Sequence, residues 1–126
     1  MWRVRVLQRH VDGFTLWPSN STNYTVAASP WRGGRGDVVA DFVASARRYG
    51  ISPCFYIILG FNIFANKTGV PAAAYLQQQK VALTELLTRY GPIDRLWWDN
   101  YALDSVCACV CVCVCRCDCC RVQLQP

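Results

Sequence analysis

Asp37-Val-Val-Ala-Asp-Phe-Val-Ala-Ser-Ala-Arg-Arg-Tyr-Gly50 runs directly into Ile51-Ser-Pro-Cys-Phe-Tyr-Ile-Ile-Leu59. The first half has apolar residues at 38, 39, 42, 43 and 46, the i, i+3, i+4, i+7 stripe of an amphipathic helix. Asp37 suits its N-cap, Arg47 and Arg48 suit the negative end of its dipole, and Gly50 can take the left-handed conformation that closes a helix. The second half, Cys54–Leu59 after Pro53, is continuously apolar with β-branched and aromatic members. That is how a strand buried on both faces reads.

The same grammar recurs downstream. Pro71 is placed to open a helix through Tyr90, with Leu76, Val81, Leu83, Leu86 and Leu87 as its expected buried stripe. Gly91-Pro92 stops it, and Ile93–Trp98 follows as a strand. Arg48-Tyr-Gly50 and Arg89-Tyr-Gly91 stand 41 residues apart, a weak internal repeat of βα period. Upstream, Val4–Gln8 supplies one more short strand. Strand, helix, strand, helix, strand predicts an α/β fold with parallel pairing through crossovers. About three strands and two helices cannot close a barrel that needs ~250 residues, so the chain reads as part of a (β/α)8 TIM-like barrel.

The composition agrees with a folded domain. Of 126 residues, 53% are apolar and 17% charged, with 13 Lys and Arg against 8 Asp and Glu. This is too apolar for disorder. The arginines are scattered rather than clustered, which argues against a nucleic-acid footprint. The longest apolar run, 51–65, is interrupted and short of the ~20 residues of a membrane span. The start, Met1-Trp-Arg-Val-Arg5, lacks the apolar core of a signal peptide.

Residues 106–126 are a different kind of sequence, and we divide the chain into 1–105 and 106–126. Eight of the nine Cys (107, 109, 111, 113, 115, 117, 119 and 120) alternate mainly with Val in this irregular tail. In a strand they would share one face, able to hold Zn²⁺ or Cu⁺, yet structural zinc sites use Cys-X₂₋₄-Cys pairs rather than a continuous ladder. A repeated GT dinucleotide also translates as Val-Cys-Val-Cys, so the tail reads as low complexity with no metal site assigned.

In parallel α/β folds ligands gather at the carboxyl ends of strands. Three polar clusters occupy such ends: Gln8-Arg-His-Val-Asp12, Gly60-Phe-Asn62 and Asp99-Asn100. A carboxylate directly after Trp97-Trp98 is partly desolvated, and flat indoles are what sugar rings pack against. Asp99 could equally be a turn or cap residue, His10 a structural histidine, and Asp12-Gly13 simple turn chemistry.

The blocks His10–Ser19, Asn23–Val26, Arg35–Val39, Tyr49–Pro53, Tyr90–Asp94 and Leu96–Asp99 come in an order that resembles the α-L-fucosidases of glycoside hydrolase family 29. The resemblance covers nearly all of residues 4–99. It implies a (β/α)8-like barrel and a retaining exo-glycosidase that releases terminal α-L-fucose from a fucosylated glycan or glycoprotein, with no cofactor. The family's nucleophile, in a Trp-X-Asp strand end, falls on Asp99. The first histidine of its His-His-Asp-Gly-Phe block falls on His10, whereas the second is Val11 here, one imidazole fewer toward the sugar. Its Gly-X-Tyr-Tyr strand becomes Cys54–Ile57, leaving Tyr56 as a site residue beside Ile57, and Trp98 completes the expected sugar contacts.

Retention requires two carboxyls ~5–5.5 Å apart. The one glutamate, Glu85, falls mid-helix among leucines, on the outer ring and away from the mouth. In the family the proton donor comes from beyond the point where the Cys-Val repeat begins, so the expectation is a nucleophile without its partner. The alternatives are a non-catalytic carbohydrate-binding remnant and a Cys-rich metal-binding protein. Three Asn-X-Ser/Thr sequons, at Asn20, Asn23 and Asn66, fit a lysosomal or secreted glycoprotein parent.

Overall fold

A computed structural model describes the backbone of residues 3–58 and 63–99, and the side chains of those residues other than 3–8, 64, 98 and 99. Leu59, the Gly60–Asn62 cluster, Asn100 and the Cys-rich tail lie outside the described residues, as does the boundary between 105 and 106.

Three strands, β1 (Arg3–Arg9), β2 (Ser52–Ile58) and β3 (Arg95–Asp99), form a parallel sheet in the order β1-β2-β3. Helix α1 (Val38–Arg48) links the first pair. The short α2 (Ile63–Lys67) and the long α3 (Ala72–Arg89) link the second. The α/β reading and the parallel pairing hold. Helix α2, and the 3-10 turns at Val26–Ala28 and Trp31–Gly34, were not anticipated. Five residues carry too little periodicity to announce a helix.

The ends of α1 follow from local chemistry. The Asp37 carboxylate accepts the Ala40 N–H at 2.9 Å, and Gly50 closes the helix at φ +66°. Just before the N-cap, Gly36 has no room for a side chain, because the Trp31 indole lies where a Cβ would be.

Packing corrects the expected stripe on α3. Its buried line is Tyr75, Gln79, Ala82, Leu83, Glu85 and Leu86, whereas Leu76, Val81 and Leu87 are only partly covered. The apolar pattern located the helix but misjudged its rotation, because two polar side chains, Gln79 and Glu85, are buried against partners from the loop after β1 and the end of that strand. Trp17, Val39, Val43, Phe55, Ile57, Leu83, Leu86 and Tyr90 make the core, so both helices pack on the sheet face that bears Phe55 and Ile57. At ~1.5–3 kcal/mol for each large apolar side chain removed from water, this layer is the main source of stability.

The two Arg-Tyr-Gly segments share a backbone but not an environment. Gly50 and Gly91 both have positive φ, yet Tyr49 is exposed and Tyr90 is buried. The Tyr90 hydroxyl donates to Asp37 at 2.9 Å, and Arg47 donates to the Tyr90 and Pro92 carbonyls. One carboxylate thereby caps α1 and ties it to the end of α3.

Candidate active site

Because the strands are parallel, their carboxyl ends lie on one edge of the sheet, and the candidate residues converge there. Tyr56 is in register with Leu7 on one side and Trp97 on the other. Asp99 is the last residue of β3, opposite Ile58, and Trp98 stands opposite Ile57. The Asp99 and Trp98 side chains lie outside those described. His10 follows β1 immediately, and its carbonyl accepts the Gly13 N–H at 3.0 Å, closing the Asp12-Gly13 turn.

Three rings form a row along this edge. The His10 imidazole stacks on Tyr56 with centroids 6.1 Å apart at 23°. Tyr56 meets the Trp97 indole edge-on at 5.7 Å and 85°. His10 is exposed, Tyr56 half-buried and Trp97 40% exposed, leaving an accessible aromatic surface. Trp97, which the sequence reading did not single out, makes this ring contact with Tyr56. Counting Tyr56 and Trp97 as level positions on parallel strands is the signal that would have found it.

A buried arginine that reads in the sequence as one of the surface residues holds this edge. Arg9 is 2% exposed, and its guanidinium donates to the Ile58 carbonyl at 3.3 Å and to Gln79 Oε1. Burial lowers its pKa. The register shift between Leu7 and Arg9 is a bulge, a common device for re-aiming a side chain beside a site. Arg9 therefore clamps the ends of β1 and β2 to α3, one residue before His10. On the adjoining turn, the Val11 carbonyl accepts the Ile63 N–H at 2.7 Å, fastening α2 to the same edge.

Glu85 has a different task. Its carboxylate accepts from Trp17 Nε1 at 2.9 Å, Ser19 Oγ at 2.6 Å and the Asn20 N–H at 2.9 Å, and pairs with Arg89 at 3.0 Å. At 5% exposure and with four donors, it is fully occupied in pinning the loop after β1 onto α3. Among the described residues no cluster of three His, Cys, Asp or Glu side chains could hold a metal ion, and no helix is long and apolar enough to cross a membrane.

Comparison with known proteins gives this geometry a lineage. Residues 4–108 match the family model described as alpha-L-fucosidase. Alpha-L-fucosidase 1 of Arabidopsis thaliana is 40% identical over 110 residues, covering 78% of this chain and 19% of that protein. A relative from Oryza sativa subsp. japonica carries the same family name at 44% identity over 106 residues, again 78% and 19%. The chain thus spans about a fifth of the length of these curated relatives. The crystal structure of a glycoside hydrolase 29 family member from an unknown rumen bacterium superposes with a TM-score of 0.71 at 34% identity, over 80% of this chain and 18% of that one.

Proposed function

The chain belongs to the alpha-L-fucosidase family, and from that premise we propose that it is a segment of a retaining exo-glycosidase acting on terminal α-L-fucose of glycans or glycoproteins. In this reading the three-stranded sheet is an arc of a (β/α)8 barrel. Asp99 is the nucleophile that attacks the anomeric carbon, and His10, Tyr56 and Trp98 contact the sugar. The compartment, by family analogy, is lysosomal or extracellular.

The observation that carries the reading is the convergence of the family-matched positions His10, Tyr56 and Asp99 on one sheet edge, beside an exposed aromatic row. A pyranose offers an apolar face to such rings and hydroxyls to an imidazole. A carboxylate at the end of β3 could then form the glycosyl ester. That ester forms efficiently only if a second carboxyl protonates the leaving oxygen, a contribution of ~10²–10⁴ in rate. Glu85 does not serve, since its oxygens are committed to the loop after β1. We therefore infer that the isolated chain does not turn over fucosides.

The test is an assay of the purified chain with an aryl α-L-fucoside. No release of the phenol is expected, and release abolished by Asp99→Ala would overturn the inference of inactivity. A non-catalytic carbohydrate-binding role is the second reading, favoured by the exposure of Trp97 next to Tyr56. Fucose titration followed by tryptophan fluorescence addresses it, and an unchanged spectrum would remove it.

A further inference from the structure

Asn20 lies where the loop after β1 crosses α3, beside an open groove of about 320 Å³ walled by Gln77, Lys80, Val81, Thr84 and Arg89. We propose that Asn20 is an N-glycan acceptor whose first N-acetylglucosamine is seated in this groove.

The argument begins with the three sequons, all of whose asparagines are exposed. Asn20 and Asn23 are three residues apart, so a glycan on one crowds the other. Thr25, the hydroxyl residue of the Asn23 sequon, is buried and donates to the Trp17 carbonyl at 2.8 Å. Asn66 sits in the last turn of α2, and its Thr68 hydroxyl donates to the Ala65 carbonyl at 3.4 Å. Asn20 alone of the three lines the groove.

The backbone at Asn20 is held before any sugar arrives. Its N–H donates to Glu85, Ser19 does the same through its hydroxyl, and Arg89 donates to the Pro18 carbonyl at 2.9 Å. A side chain on so fixed a backbone projects along a set direction, which lowers the entropy lost on seating a linked sugar. The walls suit that sugar. Val81 offers an apolar patch to one pyranose face, while Gln77, Lys80 and the Thr84 hydroxyl can hydrogen-bond the acetamide and ring hydroxyls. The volume is at the lower end of the ~300–1,000 Å³ typical of small-ligand clefts, enough for one sugar and not for a chain of them.

The linkage balances simply. The Asn20 amide Nδ2 forms a bond to C1 of the reducing-end N-acetylglucosamine of a lipid-pyrophosphate-linked oligosaccharide. The bond from C1 to the phosphate oxygen breaks, lipid pyrophosphate leaves, and one amide proton is released.

The experiment expresses the full chain behind a secretory leader in eukaryotic cells. Glycopeptide mass spectrometry of total lysate reads occupancy whether or not the chain is exported. Occupancy at Asn20 exceeding that at Asn23 and Asn66 is expected. Purified protein is then trimmed enzymatically to a single N-acetylglucosamine and compared with Asn20→Gln. The trimmed protein should melt several degrees higher, and Thr84→Trp, which fills the groove from an exposed helical position, should erase the difference while leaving Asn20 occupied. An unmodified Asn20 would overturn the proposal. So would equal melting temperatures, or a difference indifferent to Thr84→Trp, because the sugar would then not lie in the groove.

Discussion

Glu85 shows how the task of a single side chain stays hidden when only its neighbours in sequence are known. Among Leu83, Leu86 and Leu87 it reads as a mid-helix residue of the outer ring with no evident task, but its carboxylate is the anchor for Trp17, Ser19 and Asn20, whose positions are 65 to 68 residues away. Removing one partner of a buried charged cluster leaves the others unsatisfied, so Glu85→Ala should lower stability by about 3–5 kcal/mol in urea titration. Retained stability would mean the loop is held by other contacts. Tyr90 gives a pH signature. Burial first, and then its hydrogen bond to Asp37, push its phenol well above the ordinary value. A raised folded-state pKa means the contribution is complete below the unfolded value of about 10 and fades as pH climbs past it. Urea midpoints should hold to about pH 10 and drop beyond, and Tyr90→Phe should lessen that drop; an identical decline in the variant would contradict the assignment. Arg9, likewise scattered among surface arginines in the sequence, is buried because Ile58 and Gln79 supply acceptors that no local pattern reveals.

At the level of elements, the parts legible in the sequence are those governed by neighbours. The caps of α1, the opening of α3 after Pro71 and the continuous apolar run of β2 all depend on residues within one turn or one strand. Rotation and register depend on distant partners, which is why the stripe of α3 was displaced and why the contact of Trp97 with Tyr56 was not foreseen. The same division makes predictions. Asp37→Ala removes an N-cap worth about 0.5–2 kcal/mol and, in the same stroke, the acceptor of Tyr90. Its cost should therefore exceed that of Tyr90→Phe, and a double-mutant cycle should show the two changes to be non-additive. Full additivity would separate the cap from the α1–α3 tie. Leu86→Ala, in the fully buried core of α3, should cost about 2–5 kcal/mol, whereas Leu87→Ala, half-covered, should cost clearly less. Equal costs would restore the stripe read from periodicity.

At the scale of the molecule, the described residues form a three-stranded parallel sheet, β1-β2-β3, with α1 and α3 on one face and an aromatic row toward its carboxyl ends. Among the described residues both outer strands are sheet edges, and open edges invite pairing with other chains. Sedimentation velocity of the isolated chain should accordingly show concentration-dependent association, and a sharp monomer at all concentrations would show the edges to be protected. The candidate site was legible as a set of strand ends and family blocks, while the buried Arg9 clamp and the Glu85 anchor were not. The central claim concerns Asp99, and it is tested most directly in a chimaera that carries residues 4–99 in place of the equivalent segment of a full-length family member. Asp99→Gly in that chimaera should abolish hydrolysis of an aryl α-L-fucoside, and added azide should restore phenol release with formation of β-L-fucosyl azide. Full activity in the variant, or a loss that azide does not rescue, would contradict Asp99 as the nucleophile.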